Sequence, residues 1–174
     1  VGNQRGLFVP IHSMPDGGFL IIGNRPAKGR GGPPSGVPVV VRVDASSNVV
    51  WEAVLQRADF HDFEASSLVA LPDGGVIAHV LSYKTHGAGA VMRLVKLDAA
   101  GNQVWDWVGR GQGDKDTPFA QTLGLRNGQI HMTGHVYQAG SDAEHAWTGT
   151  VDAATGTLLT DRVGAAKPRH RKTK

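Results

Sequence analysis

Leu94-Val95-Lys96-Leu97-Asp98-Ala99-Ala100-Gly101-Asn102-Gln103-Val104-Trp105 decides the fold, because the chain writes this phrase more than once. Asp98-Ala99 stands 54 residues after Asp44-Ala45 and 54 before Asp152-Ala153. Asn48-Val49-Val50-Trp51 returns as Asn102-Gln103-Val104-Trp105, with Leu159 at the third repeat's matching position. Upstream, Pro15-Asp16-Gly17-Gly18 returns as Pro72-Asp73-Gly74-Gly75 and then as Arg126-Asn127-Gly128-Gln129. A period of this length marks a propeller or an array of supersecondary units.

The second repeat shows what one unit contains. Residues 65–71 are a short apolar strand that ends on Pro72-Asp73-Gly74-Gly75, with Pro and Gly where a tight turn wants them. Residues 76–83 form the next strand, and a loop with Gly87 and Gly89 follows. Residues 90–97 are the third strand, in which Arg93 and Lys96 interrupt apolar positions. A turn at 98–102 leads into a fourth strand at 103–108. Four antiparallel strands in one period is the size and layout of a propeller blade. The first repeat differs mainly in a longer Gly/Pro-rich loop, Arg25 to Gly36. The third runs from Phe119 to about Val163. No helix of useful length is legible. The expected organisation is one repeat domain over 1–164, with blades at about 9–56, 63–110 and 117–163, and a basic, disordered tail over 165–174.

Composition agrees with an all-β chain. Of 174 residues 24 are Gly and only 19% are charged, which suits short strands and tight turns. A chain of this length buries roughly 70% of its unfolded surface as one domain. There is no Cys, so disulfides and thiolate metal sites are excluded. No run of about 18 apolar residues exists, so no membrane-spanning segment is expected. The net charge of +3 belongs to the tail. Five of the 18 Lys and Arg lie in residues 165–174, leaving 13 against 15 acidic groups elsewhere. A nucleic-acid partner would need its basic residues clustered on the fold, so none is expected. The first residue is Val, read as a processed or excised start, and an exported, extracytoplasmic protein is expected.

The runs Asp62-Phe63-Glu64-Ala65-Ser66-Ser67-Leu68-Val69-Ala70-Leu71-Pro72-Asp73-Gly74-Gly75 and 94–105 together resemble bacterial β-propeller repeats. Val151-Asp152-Ala153-Ala154-Thr155-Gly156 is similar to the turn of quinoprotein-type blades. The resemblance covers nearly the whole chain and implies a propeller of three blades, partial or completed by oligomerisation. A β-trefoil, also three four-stranded repeats, is the alternative. Quinoprotein dehydrogenases need about eight blades around a calcium-bound quinone. Three blades without an acidic cluster imply no such cofactor, and no cofactor is expected.

Repetition also sorts the candidate chemistry. Asp44, Asp98 and Asp152 each begin a hairpin turn, where an Asp carboxylate accepts backbone N–H bonds. Trp51 and Trp105 are read as packing between adjacent blades. His131 and His135 are about 13 Å apart along one strand, too far to share a metal, and His79 is read as a packed or edge histidine. No nucleophile elbow, phosphate loop or calcium loop is present. The residues of the loops between strands two and three, and between blades, are then the candidate binding surface, unrepeated except for Tyr83 and Tyr137, which stand one repeat apart and have a structural role as a rival reading. These are Arg25, Lys28 and Arg30; Tyr83, Lys84 and His86; Tyr137, Asp142, Glu144 and His145; and His61, Asp62, Arg110, Asp114 and Asp116. The expected function is a non-enzymatic module that binds another protein through that face, as a scaffold or an inhibitor. The alternatives are a carbohydrate-binding module using Trp107, Trp147 or the tyrosines, and a piece of a larger propeller enzyme. A homo-oligomer is expected, because three open blades leave faces uncovered.

Overall fold

The structure, a computed structural model, describes residues 11–26, 36–84, 90–109, 117–137 and 143–166. The described residues contain twelve strands in three four-stranded antiparallel sheets, and no helix. The first sheet is β1 (Ile11–Ser13), β2 (Phe19–Pro26), β3 (Gly36–Val43) and β4 (Val49–Val54). The second is β5 (Phe60–Ala70), β6 (Val76–Lys84), β7 (Ala90–Leu97) and β8 (Gln103–Val108). The third is β9 (Pro118–Arg126), β10 (Gln129–Tyr137), β11 (Glu144–Asp152) and β12 (Leu158–Ala166). Each strand pairs with the next in sequence, so every sheet is a meander.

The turns explain the repeated motifs. In the second sheet Gly74 N–H bonds Leu71 C=O at 3.0 Å, and Pro72 takes the first central position. Gly74 has φ +83°, which closes the turn and matches the strand twist. Gly75 is needed for a different reason: a Cβ there would lie 2.6 Å from the Leu97 carbonyl oxygen. Asp73 Oδ1 accepts the Gly75 N–H at 2.9 Å. The third sheet makes the connection with two residues, Asn127 and Gly128, both at positive φ, and there Gln129 replaces the second glycine.

The sheets stack face to face in chain order and do not close into a ring. One cluster joins the first two, with Leu20, Ile22, Val40 and Leu55 against Val76, Val80, Val95 and Leu97. A second joins Ile77, Met92 and Leu94 to Ile130, Met132, Trp147 and Val151 of the third. The second sheet is therefore covered on both faces, and β6 is buried at every position from Val76 to Val80. The alternation of β2, with Leu20 and Ile22 inward and Phe19 outward, gives way there to a continuous apolar run.

A repeated seat registers each sheet on the next. The Trp51 indole lies against the following sheet's β7–β8 turn, and its Nε1 donates to Ala99 C=O at 2.9 Å. A Cβ on Gly101 would come within 2.7 Å of that ring, so the glycine is required. The Trp105 ring lies over Gly156 of the third sheet in the same way, without the Nε1 bond. The inter-blade reading of both tryptophans holds. The alignment of Leu159 with them does not. The β11–β12 turn is one residue longer, so Thr160 lies across from Thr150 as Trp51 does from Arg42 and Trp105 from Lys96. The second repeat's first strand also begins earlier than expected, at Phe60, and pairs with β6 from there.

His79 is packed inside, 4% exposed in β6, and burial lowers its pKa to about 4. Its folded pKa lies below its unfolded value near 6.5, so its contribution to stability is complete above pH 6.5. That contribution is lost as the pH falls towards 4. A displacement of that size corresponds to about 3 kcal/mol. Urea unfolding at pH 7.5 and pH 4.5 should show most of this loss, and His79→Ile, which copies Ile22 of the first sheet, should remove the His79 part. An unchanged pH slope in the variant would contradict it.

Candidate functional site

The two ends of the stacked sheets differ. At one end lie the β1–β2, β5–β6 and β9–β10 turns, where an open cleft of about 520 Å³ is lined by His12, Met14, Pro15, Leu71, Pro72 and Leu125. The turns that begin at the repeated aspartates reach the same end. Asp44 Oδ1 accepts the N–H groups of Ser46 and Asn48, both at 2.8 Å. Asp98 repeats this with Ala100 and Asn102, and Asp152 with Ala154 and Thr155. The Asn48 N–H holds the Asp44 pKa below the usual carboxylate value, and the Asn102 side chain does the same for Asp98. These carboxylates are used up in turn geometry, as the sequence reading holds.

The opposite end carries the inter-sheet connections and a network absent from the expected set. Arg93 interrupts the apolar run of β7 and is fully buried. Its Nε and Nη2 donate to the two oxygens of Asp106 in β8, at 3.2 and 2.8 Å. Nη1 donates to Ser82 Oγ at 3.1 Å, and Nη2 also reaches Leu55 C=O, at the end of the first sheet, at 3.0 Å. Arg57, in the connection to β5, donates to Asp106 Oδ2 at 3.3 Å. It also clasps Asp59 through Nε and Nη2, at 2.9 and 2.7 Å. Both guanidiniums lie over the Phe60 ring, 5.0 Å from its centroid for Arg57 and 5.6 Å for Arg93.

Among the described residues the cluster contains two arginines and two aspartates. Its inner half is sealed, and its outer half, the Arg57–Asp59 pair, meets solvent. The fork on Asp59 raises the Arg57 pKa and lowers that of Asp59. The arrangement places charges of both signs side by side, from the interior out to solvent. The available signal was Arg93 between Met92 and Leu94, with the oppositely charged Asp106 on the adjoining strand.

Of the expected binding residues, Arg25, Glu144 and His145 lie at this loop end, near the strand termini of the first and third sheets. Arg25 pairs with Glu52, and the His145 ring nitrogen Nδ1 is 3.2 Å from Gly164 C=O. His61, Asp62, Tyr83, Lys84 and Tyr137 fall within strands at the same end, where His61 pairs with Tyr83 and Tyr137 with Glu144. Lys28, Arg30, His86, Arg110, Asp114, Asp116 and Asp142 lie outside the described residues.

Trp147 is 1% exposed, with its Nε1 donating to Asp161 at 2.7 Å, so its ring is not available to a sugar. His135 stacks on Phe119 at 5.4 Å between ring centroids, while His131 is exposed. Among the described residues no group of three His, Asp or Glu side chains is placed to hold a metal ion. No described helix is long and apolar enough to cross a membrane.

No protein-family model matches this chain, and no curated protein matches its sequence. What fold and site define together is an all-β protein of three stacked, repeated four-stranded sheets, with a rigid ionic cluster at its loop end.

Proposed function

We propose that this chain is a non-enzymatic binding or scaffold module of propeller-blade type, which engages another protein through its loop end. The observation that carries this reading is the Arg57–Asp59 pair. Held from below by buried Asp106 and Arg93, it presents opposite charges in one orientation at little further entropic cost. Arg25, Glu144 and His145 extend the same mixed-charge end. Fixed charges of both signs select a partner by complementarity more than they add raw affinity. An exported setting remains a part of this proposal that rests on the repeat resemblance.

The test is capture of a partner from the source organism, followed by titration with the purified partner. Exchanging the pair, Arg57→Asp with Asp59→Arg, should weaken that binding at least tenfold while far-UV circular dichroism stays unchanged. Binding that is indifferent to this exchange and to Glu144→Ala would overturn the reading. A glycan array answers the carbohydrate alternative, which now lacks Trp147.

A further inference from the structure

The two outward faces of the stack are opposites. On the third sheet the positions that carry the core elsewhere have turned polar. His131 stands where Leu20 and Ile77 stand, and Thr133 where Ile22 and His79 do. Thr148 replaces Val40 and Leu94, Thr160 replaces the two tryptophans, and Arg162 replaces Ala53 and Trp107. The hydroxyls satisfy one another, Thr122 with Thr133 at 2.6 Å and Thr150 with Thr160. This is the polar outer face of a terminal cap.

The first sheet has no such cap. Phe19, Ile21, Val41 and Val43 occupy the places where the second sheet has Val76, Ala78, Val95 and Leu97, the residues that dock onto the first. Ile11 and Val54 extend the surface at 63% and 48% exposure, and the Arg25–Glu52 pair is its only described charged feature. This face therefore keeps the composition of a docked one.

Its occupant is constrained by the turn beside it. At both internal boundaries a tryptophan sits on a turn glycine, Gly101 or Gly156. The third such turn, on the first sheet, has Ser47 in the glycine place at φ +68°. Its Cβ stands where the indole of a preceding blade would lie, so a further blade of this kind does not seat there. Nor does the third sheet of another copy, whose threonines would meet valines and isoleucines. The surface that matches an apolar, nearly uncharged sheet face is the same face again.

We propose that the first sheet's outward face is a self-association surface, on which a second copy of this chain packs about a two-fold axis. The proposal is separate from the loop-end reading, because the face lies on the side of the stack and shares none of the Arg57 cluster. Two faces of four strands, each roughly 20 Å by 20 Å, remove on the order of 1,000 Å² in all. That is the low end of specific interfaces and points to micromolar affinity. A two-fold contact uses the face up and stops at two.

Sedimentation equilibrium of the full chain tests it. The wild type should pass from monomer to dimer between about 1 and 100 μM. Val54→Lys should shift that transition at least tenfold upward, and so should Ile11→Glu. Thr133→Lys, on the opposite outward face, should leave it in place. All three positions are exposed, so thermal unfolding should change little. A wild type that stays monomeric at 100 μM overturns the proposal, as does assembly beyond two. Equal weakening by Thr133→Lys would show head-to-tail contact and overturn it too.

Discussion

Replacing Asp106 with Ala should cost about 3–5 kcal/mol of folding stability, the largest single effect expected in this protein. The loss is not the worth of one ion pair. Arg93 is fully buried, and Asp106 supplies both oxygens that neutralise it. Without them a guanidinium remains in the interior, with the neutral Ser82 Oγ and Leu55 carbonyl among its acceptors. Arg57 also loses an acidic partner. The double variant Arg93→Met/Asp106→Leu should recover most of the loss, because it removes both charges and keeps the volume. Urea unfolding of the single and double variants measures this directly. A single variant within 1 kcal/mol of wild type would mean that water reaches Arg93, and the sealed half of the cluster would have to be redrawn.

Trp147→Ala should be nearly as costly, at about 3–5 kcal/mol, through the cavity it opens between the second and third sheets. For a chain of this size that corresponds to a fall in melting temperature of roughly 10 °C. Trp147→Phe keeps most of the packing and loses the bond to Asp161, for about 1 kcal/mol. The comparison separates burial from hydrogen bonding. It also bears on the carbohydrate alternative, since a ring that stacked on a sugar would be removed at little cost to folding. A melting temperature unchanged by Trp147→Ala would contradict the buried position.

The repeated residues were the legible ones. Turn chemistry is local, so Pro72, Gly74 and Asp98 announce their hairpins wherever the surrounding chain goes, and the strands 90–97 and 103–108 read correctly to the residue. The Trp51 seat could be inferred because its period puts a like residue at each boundary. The position of Thr160 could not, since a one-residue lengthening of a turn leaves the letters aligned and moves the pairing. Sidedness was equally hidden. Alternation says that Phe19 and Leu20 face opposite ways, but only the stacking order says which of them meets the second sheet. The Arg93 cluster was missed for a related reason. Its partners Leu55, Arg57 and Asp106 come from three different segments, and a charged letter in a strand looks the same whether it points to water or to a buried carboxylate. The unrepeated loop residues carried no physical constraint beyond their place between strands.

The double cover of the second sheet sets an order of events within the molecule. Each end sheet can loosen by breaking one boundary, whereas β6 loses its cover on both faces only when both give way. Its amide protons should therefore exchange last, at the free energy of global opening, while those of β1 and β12 exchange through cheaper, local openings. Proteolysis should follow the same sequence, trimming the outer strands before it reaches 76–80. The middle repeat is then the part of the chain whose lifetime in the folded state is the lifetime of the whole.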